Sequence, residues 1–145
     1  CLKTKALTPS AIAEAEHFIS HHFKTRPVTD IAYHTIPSAI FTQPELASVG
    51  LTEETATEPI DIYEAEFESL YDAFNPHNPK TYIKVITEQS TGKVVGIHLF
   101  SEHASEIIQG FSFALQFGAT IKDLKNTKGI HPSIAEELFT LKKRR

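Results

Sequence analysis

The chain has 145 residues, of which 41% are hydrophobic, and a formal net charge of -4. That length and apolar share support one folded domain with its own core and exclude a largely disordered chain. The negative charge argues against nucleic acid or an anionic membrane as a partner and leaves the terminal "KKRR" as a solvated basic tip.

The only cysteine is Cys1, so no disulfide forms within the chain. No apolar run is long enough to span a bilayer and none reads as a secretory signal, which makes the cytoplasm the expected compartment. Opening at "CLKTKALTP", without a methionine, the chain reads as a fragment of something larger.

In chain order, "LTPSAIAEAEHFISHHF" predicts a helix with Thr8 as N-cap and Pro9 at the first helical position. Ile12, Ala15, Ile19 and Phe23 give it one apolar face, and "KTRPVTD" reads as a linker. "AIFTQPELASVGL" predicts two short extended pieces joined at Gln43-Pro44, and "TEETATEP" a short helix capped by Thr52. Between Ile60 and Phe67 the pattern alternates, with Tyr63, Ala65 and Phe67 inward and Glu64 and Glu66 outward, as in a half-buried strand. "NPHNP" is a loop, and "KTYIKVITE" and "KVVGIHLF" are strands joined through "QSTG".

Ile107, Ile108, Phe111, Ala114 and Leu115 then form a helical stripe that Gly118 caps. Thr120 with Asp123, and Ser133 with Glu136, are capping-box pairs that open two further helices. The expected fold class is α+β, an antiparallel sheet with helices packed on one face.

None of the six glycines makes a dinucleotide or P-loop fingerprint. His17 and His21 share a helix face but lack the third ligand a zinc site needs, so no metal is expected. His98 inside a strand reads as a structural histidine. His131 is different. Pro132 biases it toward extended backbone ahead of a helix start, and Glu136 is close enough in sequence to fix its tautomer. The same residues also read as plain turn and capping chemistry, and spacing alone leaves both readings open.

The stretches "ALTPSAIA", "IPSAIFTQPELASVGLTEE", "KVVGIHLF", "EIIQGFSFALQFGAT" and "NTKGIHPSIAEELFTL" decide between them. In this order they resemble the C-terminal dimerisation domain of the FAD-dependent pyridine nucleotide-disulfide oxidoreductases, on the glutathione reductase side of that family. The resemblance implies that residues 1–30 are the last helix of an FAD-binding domain plus a linker, and that residues 31–145 are the interface domain. It implies a homodimer, with FAD and NAD(P)H held by preceding domains of the same chain and neither held by this stretch alone. It implies a low-molecular-weight disulfide as substrate.

His131 then becomes the acid–base residue offered to the partner subunit's active site, near its flavin, with Glu136 oriented on it and Ser133 beside the substrate. Thr8 marks the helix start that approaches the flavin. Glu16 stands where the family's glutathione reductases place a carboxylate-binding arginine, which points away from glutathione itself. The resemblance also implies cis bonds at Gln43-Pro44 and His131-Pro132. The alternative is a non-catalytic binding or scaffold module built on the same fold.

Overall fold

The computed structural model describes residues 6–24, 27, 30–70, 74 and 79–143. The loop expected at 75–79 falls outside them apart from Pro79, as do Cys1, most of the linker and the last two residues of the basic tip. Helix α1 (Thr8–Phe23) comes first. Strands β1 (Ser38–Ile40), β2 (Glu45–Gly50), β3 (Ile60–Glu68), β4 (Lys80–Glu88) and β5 (Val94–Ser101) follow, then helices α2 (Ala104–Gln116) and α3 (Ile121–Asn126). A 3₁₀ turn spans Tyr33–Thr35 and a 3₁₀ helix spans Ala135–Phe139.

The strands form one antiparallel sheet in the order β1-β2-β5-β4-β3. Its two-residue alternation sorts the side chains. Val49, Ile97, Val85 and Tyr63 lie in one cross-strand row, and Ala47, Leu99, Ile83 and Ala65 in the next. These rows form the core with Ala104, Ile108 and Leu115 of α2. Removing each such large side chain from water contributes about 1.5–3 kcal/mol. The opposite face carries Ser48, His98, Lys84 and Glu64 in register, a polar row. The single helical layer expected from the sequence is therefore what forms.

Both ends of α2 are fixed by identifiable bonds. At its start Glu45, reaching from β2, accepts from the Ser105 N–H at 2.9 Å and the Ser105 hydroxyl at 2.8 Å. At its end the Gly118 N–H bonds Leu115 O and the Ala119 N–H bonds Ala114 O, both at 3.0 Å. That is a Schellman closure, and Gly118 supplies its φ of 70°. The capping box of Thr120 and Asp123 opens α3 as expected.

Gly50 is also required where it stands. Its φ is 86°, and a Cβ there would strike the carbonyl of Val95 on the neighbouring strand.

Both expected cis bonds, Gln43-Pro44 and His131-Pro132, are present. Three local expectations need correction. Leu7 rather than Thr8 is the N-cap of α1, because the Leu7 carbonyl already accepts the Ala11 N–H at 3.0 Å. "TEETATEP" makes only one turn, closed by bonds between Thr52 and Thr55, because Pro59 lies too near for a helix to develop. The last helix is a 3₁₀ segment, short because the residues after it are pinned to the core by Leu141.

Candidate active site around His131

The segment that carries His131 is anchored on both sides. Before it, α3 buries Leu124. After it, Leu138 and Leu141 enter the core, and Phe139 packs on Phe111 of α2 with ring centroids 5.8 Å apart. The intervening turn is held out from a fixed base.

Within the turn one carboxylate oxygen does two jobs. Glu136 Oε1 accepts from His131 Nδ1 at 2.9 Å and from the Ser133 N–H at 3.3 Å, while the Glu136 N–H donates to Ser133 Oγ at 3.2 Å. One arrangement therefore holds both the Ser133–Glu136 cap and the His131–Glu136 pair. A carboxylate only accepts, so Nδ1 carries the hydrogen and Nε2 is the basic nitrogen. The His131 side chain is 84% exposed, and that of Glu136 only 19%. The Glu136 carboxylate is largely sheltered, and the His131 ring is presented to the outside. Behind them Gly129 lies so close that a Cβ on it would overlap the Glu136 side chain.

His131, Ser133 and Glu136 line a cleft of about 660 Å³ together with Phe67, Leu70 and His103. Three further acids, Glu68, Glu102 and Glu137, border it. Local pattern could not have supplied this opposite wall. It comes from the end of β3 and from the turn into α2, far from His131 in sequence, and only the sheet brings them together. The one local signal is His103, whose φ of 57° marks a tight turn there.

The other expected site residues lie apart. Thr8 is exposed at the start of α1, and Glu16 is exposed on α1 beside a hollow lined by His17, Pro27 and Asp30. Neither borders the His131 cleft among the described residues. His98 Nε2 lies 2.9 Å from Leu51 O, a structural role. The rings of His17 and His21 stack at 6.3 Å. Among the described residues, no group of three or more His, Cys, Asp or Glu is placed to hold a metal.

Residues 36–141 match the family model described as "Pyridine nucleotide-disulphide oxidoreductase, dimerisation domain". The chain belongs to that family. It is 38% identical to a glutathione reductase of Nostoc sp. over 94% of its own length and 30% of the relative's. It is 38% identical to the chloroplastic/mitochondrial glutathione reductase of Pisum sativum, covering 94% of this chain and 25% of that one. A glutathione reductase of Burkholderia cepacia is 37% identical, over 96% and 31%. The chain thus spans between a quarter and a third of these relatives. It is a dimerisation domain of the pyridine nucleotide-disulfide oxidoreductases with glutathione reductase-like sequence. None of its described helices is long and apolar enough to cross a membrane.

Proposed function

We propose that this domain pairs two copies of a flavin- and NAD(P)H-dependent disulfide reductase, and that each copy lends His131 to its partner's active site. The observation that carries the reading is the His131–Glu136 bond at 2.9 Å on a side chain 84% exposed. A histidine with a fixed tautomer and its basic nitrogen turned outward suits proton transfer to a group that the domain itself does not hold. The cleft on each copy would then face a disulfide substrate of low molecular weight in the partner's active site, with Ser133 at its edge. The expected setting is the cytoplasm, with no nucleic acid or membrane partner.

The proton chemistry follows from this arrangement. Reductive cleavage of a disulfide leaves thiolates. Imidazolium at His131 stabilises a nearby thiolate, and its Nε2–H protonates the departing substrate thiolate to the thiol. Glu136 offsets the charge gained by the ring and holds it in one orientation throughout.

The residues present also suit a flavin held by a preceding domain. Helix α1 begins at Thr8 with no side-chain cap, and Ser10 Oγ is buried without a hydrogen-bond partner in the structure. Ser10 borders a cavity of about 590 Å³ with Leu7 and Pro9. An uncapped helix start and an unsatisfied hydroxyl fit the polar edge of an electron-rich ring. Bound flavin would supply the electrons that pass from nicotinamide to disulfide. Helix α1 packs little on the sheet domain, and the family match starts after it. Both observations support assigning residues 1–30 to the preceding domain and 31–145 to the interface domain.

The test is His131→Ala in the full-length dimer, with the two half-reactions followed by stopped flow. The disulfide half-reaction should slow by about 10²–10⁴-fold, the usual worth of a positioned acid–base group. Flavin reduction by the nicotinamide should change little. Equal loss in both halves would remove His131 from proton transfer. Glu136→Ala should cost less, because it orients the base without replacing it. Glu16 belongs to the same reading: a carboxylate at that place repels a substrate carboxylate, and Glu16→Arg should improve turnover of glutathione disulfide.

A further inference from the structure

The cleft beside His131 has a charge pattern that its acid–base role does not require. Among its described lining residues are four carboxylates, Glu68, Glu102, Glu136 and Glu137, and no lysine or arginine. Glu136 is engaged by His131, and Glu137 accepts from the Thr140 hydroxyl at 2.8 Å. Glu68 and Glu102 stand on the far wall, at the end of β3 and at the turn into α2. Neither is buried. The cross-strand neighbour of Glu68 is Lys80, whose ammonium bonds Glu66 at 2.6 Å and only interacts at longer range with the Glu68 charge. The acids do not define the site, which the His131–Glu136 pair and the cleft define. They set the electrical environment of whatever enters it.

We propose that Glu68 and Glu102 are specificity residues, selecting disulfides whose arms are uncharged or cationic over disulfides whose arms end in carboxylates. The inference rests on the reading of the His131 cleft as the substrate side of a disulfide reductase. Its physical basis is simple. A substrate carboxylate in a cleft that sets four glutamates against two histidines, with no lysine or arginine among its described lining residues, meets repulsion, while an amide meets none and an ammonium is attracted. Because the wall is open to solvent, the effect is moderate and sensitive to salt.

The experiment uses the full-length dimeric reductase and two probes of one shape: glutathione disulfide, and the same disulfide with both glycine carboxylates converted to amides. The wild-type enzyme should favour the amide, and the preference should shrink as salt is raised from low ionic strength to about 1 M, where the screening length falls to about 3 Å. In the double variant Glu68→Gln, Glu102→Gln the ratio of kcat/KM for amide over acid should fall by about fivefold, carried mainly by KM. Gln preserves shape at two solvent-accessible positions, and a thermal melt establishes that the variant is folded. A ratio unmoved by the double substitution and by salt would overturn the proposal. That outcome is distinguishable from failure of the underlying reading, which shows separately as an unimpaired disulfide half-reaction in His131→Ala.

Discussion

Helices α1 and α2 carry the same kind of pattern and meet different fates. Each has an apolar stripe at three- and four-residue steps. The stripe of α2 is spent on the sheet, where Ile108 is 1% exposed and Leu115 5%. The stripe of α1 is not. Ile12 is 56% exposed and Phe23 70%, while the buried residues of α1 are Ser10 and Ser20. Periodicity reports that a face will be covered, and it is silent about what covers it. The same division runs through the rest of the domain: the sheet and α2 bury their facing apolar rows against each other, whereas the stripe of α1 and the His131 ring are presented outward.

If the sheet–α2 layer is the self-sufficient part, damage to it should dominate stability. Leu99 is fully buried at the centre of the inner face. Leu99→Ala removes its transfer energy and leaves a cavity, so unfolding free energy should drop by about 2–5 kcal/mol in chemical denaturation. His131→Ala, which ruins the proposed chemistry, should shift the same curve by less than about 0.5 kcal/mol because the side chain is exposed. Comparable losses at the two positions would erase the distinction between a finished core and an unfinished surface.

The next effect sits where β2 meets α2. The Ser105 N–H, with help from the Ser105 hydroxyl, holds the Glu45 carboxyl below its ordinary value. A folded value below the unfolded one means that this group stabilises fully above the ordinary carboxylate range and loses its contribution as pH falls through the folded value. Glu45→Gln should therefore cost about 1 kcal/mol at neutral pH, the scale of a helix cap, and should flatten the loss of stability below pH 4.5. Identical acid profiles for the variant and the parent chain would mean that Glu45 is not what ties α2 to the sheet edge.

Much of the fold was legible because local and global signals agree there. The strand alternation from Ile60, the stripe of α2 with Gly118 behind it and the Thr120–Asp123 box each need only neighbours in sequence. The misreadings have local causes as well. Thr8 is a strong capping type, yet the helix starts one residue early because Leu7 offers the first carbonyl. Thr52 looked like a cap, and Pro59 left no room for the helix it would open. In the site, the pairing of His131 with Glu136 was readable from spacing, and in the isolated chain it is already made. The far wall with Phe67, Glu68, Glu102 and His103 was not readable, because its nearness to His131 depends on the register of the whole sheet.

The smallest expected effect tests the other half of the comparison. Phe18 and Ile19 are 54% and 47% exposed on α1. Phe18 does stack on His22 with ring centroids 4.1 Å apart, but both groups are on the same helix and near its surface. Replacing both Phe18 and Ile19 by Ser in this chain removes little buried area. The helix loses a local contact and some propensity, and aggregation-prone apolar surface disappears. The expected change in unfolding free energy is within about 0.5 kcal/mol, with higher solubility at high protein concentration. In the full-length protein the same pair should behave differently. If residues 1–30 belong to the preceding domain, this face is buried there, and two large-to-polar changes should cost several times as much as in the isolated chain. The informative quantity is the difference between the two measurements. A large loss in the isolated chain would mean that α1 is already part of this domain's core. Equally small losses in both contexts would mean that the apolar face of α1 has no partner at all, and that residues 1–30 are wrongly assigned to the domain before.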